Sequence, residues 1–286
     1  VDERFVVIGA GTMGVGIAYV AAGADYAVEL VELDPGQRDR ARDTVDQLWT
    51  KAVQSGRATA AAVAESRSRL TMRADLADVA PAPAIIVEAV PERLELKQAV
   101  LAQAAALGPQ LLASNTSSIA IADLARALPQ PERVLGLHFF NPVWSMPLLE
   151  IVVGTATNEA TRLAAQQIAM RLGKESIVVR DQPGFATSRL GVALGLEAMR
   201  MLADGVATAA DIDKAMVLGY RHPMGPLELT DLVGLDVRLD IARTLQAAYG
   251  DRFAPPPLLV DLVQQGHLGR KTGQGFYRWD GGVAVR

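Results

Sequence analysis

The stretch RFVVIGAGTMGVGIAYVAAGADYAVELVELD, residues 4–34, decides the fold. Its first residues, Arg4 to Ile8, form an apolar burst that ends in glycines, the pattern of a buried strand entering a tight turn. The next segment, TMGVGIAYVAAGA, reads as a helix, and AVELVELD reads as a second strand. Within the turn, Gly9-Ala10-Gly11-Thr12-Met13-Gly14 fits the spacing G-x-G-x-x-G. Gly9 permits the tight turn, Gly11 lets a pyrophosphate approach the helix start, and Gly14 lets helix and sheet pack closely. The helix N-terminus adds unpaired N–H donors and a field that favours an anion. We therefore expect Gly9, Gly11, Thr12, Met13 and Gly14 to hold a dinucleotide. Eighteen residues after Gly14 stands Glu32. A carboxylate there accepts bonds from both ribose hydroxyls and repels a 2′-phosphate, so NAD is favoured over NADP. Asp34 is the rival for that role, although it reads better as the start of the following helix. The fingerprint alone also accommodates FAD.

Outward from this stretch, strand and helix keep alternating. Residues 36–55 and 57–69 have helical patterns, and AIIVEAV at 84–90 is another buried strand. Pro91 then stands where a first helical turn accepts it. LLASNTSS is a strand ending in a polar loop, and RVLGLHFF, LLEIVVG and ESIVVR are further strands, with a helix over 157–172. After DQPG at 181–184 the pattern changes to almost continuous helical periodicity. Thr208 and Asp211 there have the spacing of a capping box. The expectation is an α/β fold: a Rossmann-like NAD-binding domain over 1–183 and an all-helical second domain over 184–286, with the ligand site in the cleft between them.

Composition narrows the partners. Half of the 286 residues are apolar, there is no cysteine, and the formal charge is −4. Disulfides and thiolate metal sites are excluded, and nothing electrostatic points to nucleic acid or an acidic membrane. No uncharged apolar run reaches the roughly eighteen residues of a membrane span. The opening residues enter a strand directly, so we expect no signal peptide and a cytoplasmic enzyme. The histidines, at 138, 222 and 267, are too scattered to suggest a metal centre.

The chemistry gathers in LGLHFFNPVWSMPLLE, residues 135–150. His138 ends an apolar strand just before the break at Asn141-Pro142, and ligands of open parallel sheets bind beyond such strand ends. Glu150 can return beside it on the next strand. A carboxylate bonded to one imidazole nitrogen fixes the tautomer and steadies the imidazolium formed when the other nitrogen takes a proton. That pair suits removal of a hydroxyl proton while hydride leaves for nicotinamide; a satisfied core histidine with an unrelated carboxylate is the bland alternative. SNTSS at 114–118 ends a strand in five small polar residues, able to hold a substrate oxygen or the nicotinamide ribose. Ser117 or Ser118 can equally cap the helix that follows. Glu92 and Lys97 fit either a surface helix start or a cofactor edge.

Taken together, VIGAGTMGVGIA, EAVPERLELK, SNTSSI, GLHFFNPV, LLEIV, DQPGF, HPMGPLELTDLVGLD and GRKTGQGFY resemble the L-3-hydroxyacyl-CoA dehydrogenase family in its short stand-alone form. They occur in the family's order and cover nearly the whole chain. The resemblance implies reversible oxidation of an L-3-hydroxyacyl-CoA to the 3-ketoacyl-CoA with NAD, as in fatty acid metabolism and β-oxidation. It implies His138 as base, Glu150 as its partner and Ser117 as a substrate contact. Asn115 and Ser114 match the segment on the nicotinamide side, and Glu92 and Lys97 match positions near the cofactor. Asn141, in the HFFNP motif, joins the substrate contacts. The partners implied are an acyl-CoA and a second copy of the chain, as a homodimer through the helical domain.

The chain departs from the family pattern just after DQPGF. After Pro-Gly-Phe the family usually has Asn-Arg, whereas PGFATSR places Ser188 before Arg189. Ser188 is shorter and lacks the amide's two donors, so we expect a catalytic and substrate-binding role there with altered preference. Two alternatives stay open: a relative acting on a free hydroxy acid such as gulonate or carnitine, and a silent NAD-binding crystallin-like protein. Glu32, against the family's usual aspartate, keeps the carboxylate.

Overall fold

The computed structural model describes residues 3–285. The chain divides into two units between Gln182 and Pro183.

The first unit runs β1 (Arg4–Ile8), α1 (Thr12–Gly23), β2 (Ala27–Val31), α2 (Pro35–Gln54), α3 (Ala60–Ser68), β3 (Leu70–Arg73), β4 (Ile85–Glu88), α4 (Leu94–Ala106), β5 (Leu111–Ser114), α5 (Ile121–Ala125), β6 (Val134–Phe139), β7 (Leu148–Val153), α6 (Glu159–Arg171) and β8 (Glu175–Arg180). The strands form one sheet in the order β3-β2-β1-β4-β5-β6-β7-β8. Strands β1 to β6 are parallel, β7 runs antiparallel to β6, and β8 is parallel to β7. Central strands such as β4 are buried at every residue, as expected when helices cover both faces of a parallel sheet. Helix α2 turns Ala41, Val45, Trp49 and Ala52 inward at helical spacing. Asp34 caps it by accepting the Gln37 N–H, with Pro35 in the first turn. The rival for the ribose is thereby occupied as a cap.

Three local expectations are corrected. Strand β3 was not legible: Leu70-Thr71-Met72-Arg73 is four residues of mixed polarity on the sheet edge. Pro91 is not in a first helical turn, because α4 starts at Leu94 with Arg93 as its cap. Neither Ser117 nor Ser118 caps a helix; α5 begins after Ala120 without a side-chain cap. Thr116 instead receives the Ser118 and Ile119 N–H groups and closes a local turn.

The second unit contains α7 (Thr187–Ala203), α8 (Ala209–Gly219), α9 (Pro226–Val233), α10 (Leu235–Tyr249) and α11 (Pro257–Gln264). The expected Thr208 cap of α8 is present, its hydroxyl accepting the Asp211 N–H. A short antiparallel hairpin, β9 (Arg278–Asp280) with β10 (Val283–Val285), adds to the helices. Val192, Leu196, Met199, Leu227, Leu239 and Leu245 form the core. Two buried carboxylates brace it. Asp213 accepts the Leu227 and Glu228 N–H groups at the start of α9 and the Tyr277 hydroxyl. Asp231 accepts the Phe276 and Tyr277 N–H groups and the Trp279 ring N–H. Gly225 is required where α9 meets Asp213: a Cβ there would lie 2.2 Å from the Asp213 side chain.

Candidate active site

The carboxyl ends of β1, β2 and β4 open on a cavity of about 680 Å³. This is where the strand order reverses, between β1 and β4, and where open α/β sheets bind ligands. Gly9, Gly11, Thr12, Met13 and Glu32 line it, together with Gln37, Leu96, Val100 and Gln103, which sequence reasoning did not single out. The glycines differ in what they do. Gly9 has φ +96° and approaches the Ala89 carbonyl closely. At Gly14 a Cβ would fall 1.8 Å from the Gly9 carbonyl oxygen. A Cβ on Gly11 would meet nothing within 4 Å, so the space over the helix start is open. That opening, the α1 N-terminus and the adjoining cavity fit the pyrophosphate and nucleoside of a dinucleotide.

Glu32 is fixed before any ligand arrives. One carboxylate oxygen accepts the Ala10 N–H at 3.0 Å and the other accepts the Asp34 N–H at 3.1 Å. Two backbone donors hold the negative charge at the cavity edge, where ribose hydroxyls can donate to it and a 2′-phosphate is repelled.

A second cluster lies between β4, α4 and the loop after β5. Lys97 and Glu88 are both fully buried, with Lys97 Nζ 2.8 Å from Glu88 Oε1. Ser114 donates its hydroxyl to Glu88 Oε2 at 2.6 Å. Lys97 also lies 3.3 Å from Glu92 Oε2. The other Glu92 oxygen is wrapped by the SNTSS loop, accepting from the Thr116 hydroxyl at 2.6 Å and the Ser117 N–H at 3.0 Å. It also accepts from the Ser118 N–H at 3.1 Å and the Ser118 hydroxyl at 3.0 Å. Burial by itself would raise the Glu92 carboxyl; the Lys97 ammonium and these donors together outweigh it and hold it below its ordinary value. The Lys97 side chain is 0% exposed. Its charge acts through Glu88 and Glu92. Neither Glu92 nor Asn115 lines the cavity.

Because the Glu92 value is depressed, its contribution to stability is present above the ordinary value of 4.5 and is lost as pH falls through the lower folded value. Glu92→Gln is therefore expected to lower the urea midpoint at pH 7, with the gap to the parent closing as pH falls below 4.5 and through the lower folded value. Urea titrations at several pH values check this; a gap that stays constant into acid would contradict it.

The third element is the pair raised by the sequence. The antiparallel register of β6 and β7 sets His138 opposite Glu150. Directly opposed residues share one face of a sheet, which is why twelve residues of chain bring them together. His138 Nδ1 lies 2.7 Å from Glu150 Oε2, with His138 7% exposed and Glu150 fully buried. The Phe140 ring lies against the imidazole, centroids 4.5 Å apart. Asn115 ties the serine loop to this strand by accepting the Phe139 N–H at 2.9 Å. Asn141 is exposed at a cis bond to Pro142, where β6 ends. Lys174 donates to the Val143 and Met146 carbonyls and pins that loop. Ser188 belongs to the second unit, in the first turn of α7. Glu88 was missed by the sequence reading, although a glutamate inside the apolar strand IIVE was a visible signal.

A dinucleotide cavity and an oriented imidazole on one sheet are the parts of a hydroxyl-oxidising site. Comparison with known proteins agrees. Residues 4–182 match the family model of the 3-hydroxyacyl-CoA dehydrogenase NAD-binding domain, and residues 184–279 match that of its C-terminal domain. A 3-hydroxybutyryl-CoA dehydrogenase of Mycobacterium tuberculosis is 40% identical over 97% of this chain and 98% of its own. The 3-hydroxybutyryl-CoA dehydrogenase of Bradyrhizobium diazoefficiens is also 40% identical, over 100% of this chain and 98% of its own. The crystal structure of (S)-3-hydroxybutyryl-CoA dehydrogenase PaaH1 from Ralstonia eutropha superposes with a TM-score of 0.93 at 34% identity, covering 98% of this chain and 100% of that one. The chain belongs to the 3-hydroxyacyl-CoA dehydrogenase family and is an NAD-dependent enzyme of that activity.

Proposed function

We propose that His138 is the general base that takes the 3-hydroxyl proton of the substrate, and that Glu150 holds its ring. The observation that carries this is the buried 2.7 Å contact between His138 Nδ1 and Glu150 Oε2. With Nδ1 committed to a carboxylate, proton exchange with substrate falls to Nε2, and the carboxylate stabilises the imidazolium that results. NAD, when bound, supplies the hydride acceptor. Glu32 receives its adenosine ribose hydroxyls, and Gly9, Gly11, Thr12 and Met13 receive its pyrophosphate, while Gly14 lets the helix close on the turn. Glu92 and Lys97 act as positioning residues. They shape the SNTSS loop so that Ser117 presents its hydroxyl to the substrate oxygen, and Asn115 keeps that loop on the nicotinamide side. Ser188 and Asn141 complete the substrate contacts. In the reverse direction the imidazolium returns the proton to the ketone oxygen.

The acyl group on this reading is short; the relatives compared above are named for a four-carbon acyl group. The test is NADH absorbance with purified enzyme, NAD and (S)-3-hydroxybutyryl-CoA, beside L-gulonate and carnitine. Turnover of the thioester supports the reading; turnover of a free hydroxy acid alone would overturn it.

We also propose a cytoplasmic homodimer formed through the second unit. Leu190, Leu218 and Tyr220 are 71%, 68% and 77% exposed there, large apolar side chains that a second copy would cover. Among the described residues no helix is long and apolar enough to cross a membrane. A solution mass near twice 30.4 kDa is expected by light scattering.

A further inference from the structure

A buried charged group stands in the second unit without an ion-pair partner among the described residues. Arg238, on α10, is 7% exposed. Its Nε is buried without a hydrogen-bond partner, and among the described residues no carboxylate forms an ion pair with it. The acids on the same helix, and the two buried acids of this unit, are already engaged. Asp236 pairs with Lys271, Asp240 lies by Arg243, and Asp213 and Asp231 are saturated by the donors described above. Burial pulls the guanidinium down to about 10, which leaves it charged at neutral pH.

The position of the group is equally specific. Its Nη1 lies 3.1 Å, and its Nη2 3.6 Å, from where a Cβ on Gly191 would stand. A glycine in α7 therefore makes the room that the guanidinium fills. Gly191 is three residues after Ser188, so both lie on one face of that helix. A methionine or leucine would fill the same volume without a buried charge. An unpaired guanidinium in such a place is costly unless a ligand brings the missing anion.

We propose that Arg238 is a specificity-determining residue that binds a carboxylate on the acyl part of the substrate. The enzyme then prefers a 3-hydroxyacyl-CoA whose chain ends in a second acid group. The planar fork of arginine matches a carboxylate with two parallel bonds, and the buried setting suits a compact anion at a chain end. The inference rests on the reading of Ser188 as a substrate contact. It also gives the serine a purpose, since the shorter side chain leaves more of this helix face open to a ligand than an asparagine would.

The experiment compares kcat/KM for 3-hydroxybutyryl-CoA, 3-hydroxyglutaryl-CoA, 3-hydroxyadipyl-CoA and free 3-hydroxyglutarate, in the full-length enzyme and in Arg238→Met and Arg238→Lys. The parent is expected to favour one acid-ended thioester over the butyryl thioester by tenfold or more. Arg238→Met is expected to lower that ratio at least tenfold, chiefly through KM, and Arg238→Lys to keep part of it. Glutarate alone, as a probe, is expected to raise the Tm of the parent and not that of Arg238→Met. A parent ratio at or below one overturns the proposal, and so does a proportional loss on every substrate. Preference for free 3-hydroxyglutarate, lost in Arg238→Met, keeps the carboxylate site and assigns it to a free acid. Absence of turnover with every CoA thioester is the separate failure of the dehydrogenase reading.

Discussion

Replacing His138 with alanine is expected to lower kcat by about 10²–10⁴-fold, the usual worth of a positioned general base. Binding of NAD is a separate matter, because the cavity under the glycine turn is lined by β1, β2, β4 and their loops rather than by β6. The loss should therefore show in turnover measured by NADH absorbance at saturating NAD. Glu150→Gln is expected to cost at least about tenfold, since the amide neither fixes the same tautomer nor offsets the imidazolium charge. The pair is coupled, so Glu150→Gln placed on His138→Ala should add little further loss. Wild-type turnover in either single variant would remove that residue from the mechanism.

The second large effect concerns two glycines of the same motif that should behave oppositely. Gly14→Ala forces a methyl to within 1.8 Å of the Gly9 carbonyl oxygen, which is backbone. Gly9 cannot retreat: its N–H is bonded to the Val31 carbonyl at 2.9 Å, and a Cβ of its own would already lie 2.9 Å from the Ala89 carbonyl. Overpacking of this kind costs about 1–3 kcal/mol or more, and here the strain falls on the turn proposed to receive the pyrophosphate. Gly14→Ala is thus expected to lower Tm and to raise the Kd for NAD by roughly tenfold or more. Gly11→Ala adds a methyl with nothing within 4 Å, so Tm should hold while NAD binding weakens, because the methyl occupies the ligand's space. Calorimetric titration with NAD and thermal unfolding of both variants separate the cases. Unweakened NAD binding by Gly11→Ala would mean the pyrophosphate does not pass there.

Much of this architecture was legible because its signals are local. The apolar burst before Gly9, the helical spacing of Ala41, Val45 and Trp49, and the Thr208 cap each depend on residues a few positions apart. Strand β3 carried no such signal, being short, mixed in polarity and stabilised only by its pairing with β2. The burial of Lys97 was illegible for a related reason. In the sequence it is an ordinary charged residue near a helix start. Its complete burial follows from Glu88 and Glu92 converging on it from β4 and the loop beyond.

The sequence by itself determined the glycine turn, the acid at position 32 and the change from α/β to helical patterning near residue 183. These follow from backbone sterics and periodicity, which neighbouring residues dictate. Only the tertiary structure decided which charges meet. The β6–β7 register set His138 against Glu150, the serine loop closed on Glu92, and Arg238 Nε was buried in the second unit without a hydrogen-bond partner among the described residues. The physical reason is that charge pairing and burial depend on distances between segments far apart in the chain, and those distances exist only once the sheet and the helices have packed.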